Sequence, residues 1–130
     1  MQSKAGILFT ILIISLLITA CGGSNDLERT PESGKALFEK TTLGSAAGCK
    51  TCHSLEPGVV IIGPSLAGIG NLAGTRVEGS SAEAYLKESI LKPDAYLVEG
   101  YPAGVMPKTY ASNLTSEEVD SLVAFMETLK

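Results

Sequence analysis

Five consecutive residues, Cys49-Lys50-Thr51-Cys52-His53, decide the chemistry open to this 130-residue chain. Two thiols three positions apart, with an imidazole directly after the second, are the attachment signature of a c-type haem. Each thiol can add to one vinyl group of the macrocycle, and the histidine is then held under the iron as proximal ligand. Tether and axial ligand fit within one turn of backbone. Other uses of a C-x-x-C pair fit less well. A structural zinc needs four ligands, and His53 is the only histidine. A thioredoxin-like redox pair sits in a βαβ pattern that this sequence lacks. The expectation is one covalently bound haem c on Cys49 and Cys52, with His53 on the iron.

The N-terminus points to export. Residues 1–4 carry one positive charge and residues 6–19 are almost unbroken apolar, which are the two leading parts of an export signal. That run is shorter than the ~20 residues that span a bilayer. Ile18-Thr19-Ala20-Cys21 resembles a bacterial lipobox, in which the cysteine becomes the lipidated first residue. Two acyl attachments there exceed the threshold for stable anchoring. An ordinary signal peptide with an incidental cysteine, or an uncleaved anchor, are the other readings. All three place the domain on the outer, periplasmic face of a membrane. The expected organisation is a lipoprotein signal over 1–20, a lipidated flexible tether over 21–29 and the haem domain over 30–130. The three cysteines are then all assigned, and none is left for a disulfide.

Without Lys4 the chain has nine basic against fourteen acidic side chains, a net charge of −5. That balance excludes a nucleic-acid binder. Aromatics are only 5% of the residues, so the chain's own core is modest and a buried macrocycle would supply apolar surface.

The pattern along 30–130 is helical. Thr30-Pro31-Glu32 is a helix start, with a capping hydroxyl, a proline at the first helical position and an acid in the first turn. Gly34, Leu37, Phe38 and Thr41 follow on one face. A second helix is expected from about Ser80, boxed with Glu83, to Lys92, where Pro93 stops it. Its inner stripe is Ala82, Tyr85, Leu86, Ser89 and Ile90. A third starts at Thr115, boxed with Glu118, and buries Val119, Leu122, Val123, Met126 and Leu129. Loops over 55–79 and 94–113 are long for so small a domain, and a haem would order them. No strand pair stands out.

With one histidine, a second axial histidine from this chain is impossible, which leaves methionine, lysine or an open site. Met1 leaves with the signal. Met126 falls on an apolar helix stripe and reads as core filler. Met106 lies in Gly100-Tyr101-Pro102-Ala103-Gly104-Val105-Met106-Pro107, which cannot be regular helix or central strand. A loop can carry a thioether to the iron, and Pro107 keeps its predecessor extended. Met106 is the expected sixth ligand. Arg76, Tyr96 and Tyr101 are candidate donors to the haem propionates.

These residues together resemble a class I cytochrome c, over nearly all of the exported chain. Gly34-x-x-x-Phe38 resembles the family's N-terminal helix, and Leu122-Val123-Ala124-Phe125-Met126 the C-terminal helix that it crosses. Gly63-Pro64-Ser65-Leu66 resembles the segment after the motif, where the family's proline carbonyl accepts the proximal histidine's other N–H. That implies Pro64 as the residue orienting His53. Tyr85-Leu86-Lys87-Glu88-Ser89-Ile90, Pro93-x-Ala95, Gly100-Tyr101 and Met106-Pro107 are similar to the cytochrome c domain fused to subunit II of caa3-type oxidases. They also resemble free-standing lipoprotein cytochromes. The sequence departs from the fused form in that an export signal and tether, and not a copper-binding domain, are expected before the haem domain.

The resemblance implies an all-α fold, three principal helices and long loops around one haem. It implies a one-electron carrier of a respiratory or photosynthetic chain, not an enzyme. A quinol-oxidising complex would be the donor and an oxidase or photosynthetic reaction centre the acceptor. An obligate subunit of such a complex is the alternative, and a small haem enzyme or gas sensor with an open iron is a further one. Docking is expected near the haem ligands, with Lys50 and Lys108 as a local positive patch.

Overall fold

The computed structural model describes residues 29–130. The export segment, the lipidation site at Cys21 and all of the tether but Arg29 lie outside the described residues.

Helix α1 (Pro31–Phe38) begins as its residue types dictate. The Thr30 hydroxyl accepts the N–H of Ser33 at 3.1 Å, Pro31 takes the first turn and Glu32 meets the helix's positive end. Gly34, Leu37 and Phe38 are buried, whereas Thr41 lies past the helix end and is exposed. The chain then forms an antiparallel ladder of two residues a side, β1 (Thr42–Leu43) and β2 (Ala46–Ala47), that the sequence did not reveal. Two-residue strands have no periodicity to read. The turn is made by Gly44, whose φ of 59° suits a residue without a Cβ.

The haem motif opens on a single 3-10 turn, Cys49–Thr51. Inside the first long loop lies a one-turn helix, α2 (Ile69–Leu72), too short to show an apolar period. Helix α3 (Ala82–Leu91) buries Tyr85, Leu86 and Ile90. Its cap is Ser81, one residue later than expected: the Ser81 hydroxyl accepts the N–H of Ala84 at 3.1 Å. Glu83 is therefore a first-turn acid without a box. A second one-turn helix, α4 (Tyr110–Asn113), ends the other long loop. Helix α5 (Ser116–Glu127) starts with the full Thr115/Glu118 capping box.

The core is built where α5 meets α1 and α3. At the α1–α5 crossing the backbones approach so closely that a Cβ on Gly34 would overlap the carbonyl oxygen of Ser121. It would also stand 2.8 Å from the Cβ of Phe125. Ser121 is fully buried and satisfies its hydroxyl on the carbonyl of Glu117 at 2.8 Å, so it can face this contact without an unpaired group. The rings of Phe38 and Phe125 lie 5.6 Å apart at 52° beside it. Asp120 on α5 pairs with Lys87 of α3 at 2.7 Å and with Arg29 at 3.1 Å. Beyond the small ladder, the described residues are an all-α fold with three principal helices. None of the described helices is long and apolar enough to cross a membrane.

Candidate functional site

The two long loops and the core faces of α3 and α5 enclose an apolar cavity of about 420 Å³. That lies within the roughly 300–1,000 Å³ of ligand and cofactor sites. Cys49, Cys52 and His53 line it from the motif, Pro64 from the first loop and Met106 from the second. All the expected haem residues among those described are brought to one cavity.

His53 is held from two sides. Its Nδ1 lies 2.8 Å from the carbonyl oxygen of Pro64. A carbonyl only accepts, so Nδ1 carries the hydrogen and Nε2 keeps its lone pair. Burial lowers the imidazole's pKa, against the smaller opposing effect of the Pro64 bond. The ring is thus kept neutral, the form that ligates metals. On its other side stands Gly63, where a Cβ would come within 2.5 Å of Cε1 and 2.9 Å of Nδ1. Only glycine lets the backbone lie against the ring. The N–H of Gly63 also donates to the carbonyl of Cys52 at 2.9 Å, closing the loop onto the motif.

Burial pushes the Cys49 thiol up to about 11, with Cys52 adding to the rise, so at neutral pH it is a neutral group in an apolar wall. Tyr110, which the sequence reading did not single out, lines the same wall and donates its hydroxyl to the carbonyl of Ala47 at 2.6 Å. Burial, then the two cysteines, push its phenol up to about 12. Its signal in the sequence is a lone tyrosine between Thr109 and Ala111, which by itself marks nothing.

Arg76, Tyr96 and Tyr101 all line the cavity. Arg76 has a buried Nε with no hydrogen-bond partner. A guanidinium N–H orphaned on a cavity wall is costly unless an acceptor completes it, and a haem carries two carboxylates. Tyr96 is fixed by an edge-on contact with Tyr85, centroids 5.5 Å apart at 81°. The donor set, the apolar wall and the orphaned arginine all fit a haem.

The two methionines sit differently. Met126 lines the cavity from α5 and is 7% exposed within the core. Met106 is half-buried on a loop clamped by one carboxylate: Asp94 accepts the N–H of Gly104 at 2.9 Å and pairs with Lys108 at 2.5 Å. Lys108 is therefore not the free cation expected of a docking patch. Its charge is matched by Asp94, and only Lys50 of the two remains an exposed cation without an ion pair among the described residues.

An apolar cavity with two thiols on its wall and a neutral imidazole pinned by backbone is built for a haem joined through thioethers. This is a c-type haem protein of class I, all-α architecture. The cytochrome c family profile matches residues 31–130, and the chain belongs to that family. Cytochrome c2 iso-2 of Magnetospirillum fulvum is 33% identical to it over 89 residues, 62% of this chain and 91% of the relative. Cytochrome c2 iso-2 of Magnetospirillum molischianum is 31% identical over 88 residues, covering 63% and 91%. The likeness to oxidase-fused domains rests on the loop and helix residues quoted above alone. Bound in the cavity, the single haem c supplies reversible one-electron exchange, and the protein is an electron-transfer protein.

Proposed function

We propose that this chain is a lipid-anchored carrier that passes single electrons through a haem ligated by His53 and Met106. It works at the periplasmic face of a bacterial membrane, in a respiratory or photosynthetic chain. The observation that carries the reading is the convergence of a neutral, backbone-oriented His53 and a loop-borne Met106 on one apolar cavity. Met126 belongs to the α5 core face, where its side chain packs among buried neighbours. Thioether sulfur is a soft donor that favours the reduced metal and raises the potential. Two protein ligands also leave no position for oxygen or peroxide, which suits transfer over catalysis. Arg76 serves the propionates, with Tyr96 and Tyr101 beside it.

Met106→Ala tests the ligation. The variant should lose the far-red iron–sulfur band of the oxidised protein, drop in potential and bind carbon monoxide when reduced. Met126→Leu should keep the band, because the swap nearly conserves volume. A band that survives Met106→Ala removes Met106 from the metal. Anchoring at Cys21 is tested separately. Mass spectrometry of the native protein should find acyl chains on Cys21, and Cys21→Ser should free the haem-loaded domain from membranes or leave an uncleaved precursor.

A further inference from the structure

Leading up to Ile62, whose N–H meets the carbonyl of Cys52, runs a row of aliphatic side chains that the cavity does not use. Val59, Val60 and Ile61 are 42%, 59% and 51% exposed, and none of them lines the cavity. A group seated in the cavity therefore leaves them in solvent. Ile62, next in sequence, does line it and joins the row to the site.

The row is held at both ends by backbone bonds. The N–H groups of Ile62 and Gly63 both donate to the carbonyl of Cys52, at 3.2 and 2.9 Å. The carbonyl of Glu56 accepts the N–H of Val59 at 3.2 Å and the hydroxyl of Ser65 at 2.7 Å. β-Branched side chains on such a frame have few rotamers to lose on contact. Contiguous exposed aliphatics of this kind mark an interaction surface.

Charge says which kind. Residues 57–75 contain no charged side chain, and between 41 and 75 the only ones are Lys50 and Glu56. Across the cavity, Lys108 is matched by Asp94. An uncharged face complements an uncharged face, since any charge opposed to it would be desolvated without a partner.

From this we propose that Val59, Val60 and Ile61 are the docking face for a redox partner protein whose own contact surface is apolar and uncharged. The proposal rests on the electron-carrier reading and adds to it the place and chemistry of the contact. In the docked pair one electron leaves the reduced protein, which becomes oxidised by one, and the acceptor is reduced by one. No bond forms or breaks.

The test uses the haem-loaded full chain, reduced, mixed with detergent-solubilised membranes from a strain of the source organism lacking it. The wild-type rate should change by less than about twofold between roughly 50 and 500 mM salt. The double variant Val60→Ser, Ile61→Ser should be slower by at least about fivefold, and Lys50→Glu by less than about twofold. The double variant should keep the wild-type potential, far-red band and rate of oxidation by ferricyanide, a small ion that needs no docking face. An unchanged membrane rate in the double variant, or a wild-type rate that collapses with salt, overturns the proposal. So does binding of the Cys21→Ser holoprotein to phosphatidylcholine vesicles that the double variant abolishes, which assigns the face to lipid. A concentration-dependent dimer in sedimentation, lost in the double variant, overturns it in favour of self-association. If ferricyanide oxidises the wild type and the membranes do not, the carrier reading itself fails, and the docking face with it.

Discussion

Helices α1, α3 and α5 and the stretch 41–75 solve the same folding problem with opposite materials. The three helices place nine charged residues among thirty, while the stretch has two among thirty-five. In the helices, charge faces solvent and an apolar stripe faces the core, so backbone and burial are specified by one repeating pattern. The stretch has no such pattern. It is held by individual bonds: Gly48 N–H to Thr41, Gly63 N–H to Cys52, Leu66 N–H to Ser54, and His53 to Pro64. A periodic element spreads its specification over many side chains. A loop concentrates it on a few atoms, which is how it can fix an imidazole and two thiols on one wall.

If that contrast is right, the helical half should be most sensitive where two backbones touch. Gly34→Val puts a Cβ into the carbonyl of Ser121 and branches it beside Phe125. The contact involves backbone on one side, so a rotamer change gives no relief. The loss of stability should be at least about 3 kcal/mol, at the upper end for overpacking. Denaturant unfolding of the haem-loaded protein reads it. A loss under about 0.5 kcal/mol, the size of an ordinary surface effect, would mean that the crossing is looser than described.

The loop half should respond in a different observable. Gly63→Ala sets a Cβ 2.5 Å from the Cε1 of His53, so the ring must tilt or the 62–64 backbone must shift. Either movement disturbs the bond to Pro64. Stability should fall by about 1–2 kcal/mol, less than at Gly34 because an imidazole can move further than a helix. The spectrum and potential should change, whereas Gly34→Val should leave both nearly intact in the fraction that stays folded. If Gly63→Ala costs stability without touching the spectrum, the two halves are not separable in this way.

The same contrast explains what could be read from the sequence. The three principal helices were legible, because caps and stripes repeat: Thr30, Thr115 and Glu118 cap as their types require, and Val119, Leu122, Val123 and Met126 of the expected α5 stripe are buried, whereas Leu129 lies past the end of the helix and is half-buried. The α3 cap was displaced by one residue because Ser80 and Ser81 are chemically equal, and only the backbone angle chooses between them. Ser121 and Phe125 escaped the apolar-stripe reading, since the contact with Gly34 widens the buried face beyond the stripe. In the loops, the motif named Cys49, Cys52 and His53 by chemistry, and the resemblance supplied Pro64. Nothing local named Tyr110 or the steric need for Gly63, because both depend on residues distant in sequence or on the pose of a neighbouring ring. The pairing of Lys108 with Asp94 was missed for the same reason. Fourteen residues separate them, and composition counts both as free.

That pairing gives the smallest predicted effect and the finest probe of the loop half. Asp94 spans the segment that carries Met106, accepting from Gly104 before it and from Lys108 after it. The Lys108 bond first, and the Gly104 N–H second, hold its carboxyl below the usual 3.8. A carboxyl whose pKa is lower in the folded state favours folding when ionised. Its contribution is complete above the unfolded value and fades as pH falls through the folded one. Asp94→Asn keeps an acceptor for Gly104 but loses the ion pair. At neutral pH the variant should be slightly less stable than wild type, and the margin should shrink in high salt, because the pair is solvent-exposed. As pH falls through the lowered folded-state value, the two proteins should converge, since wild type then carries an uncharged carboxyl as well. With Met106 on the iron as proposed, the far-red band followed in the same titration reports on the loop itself. Wild type should lose intensity towards acid, while the variant starts lower and changes less. A stability gap that persists undiminished in acid would show that the carboxylate's charge is not what clamps the methionine loop.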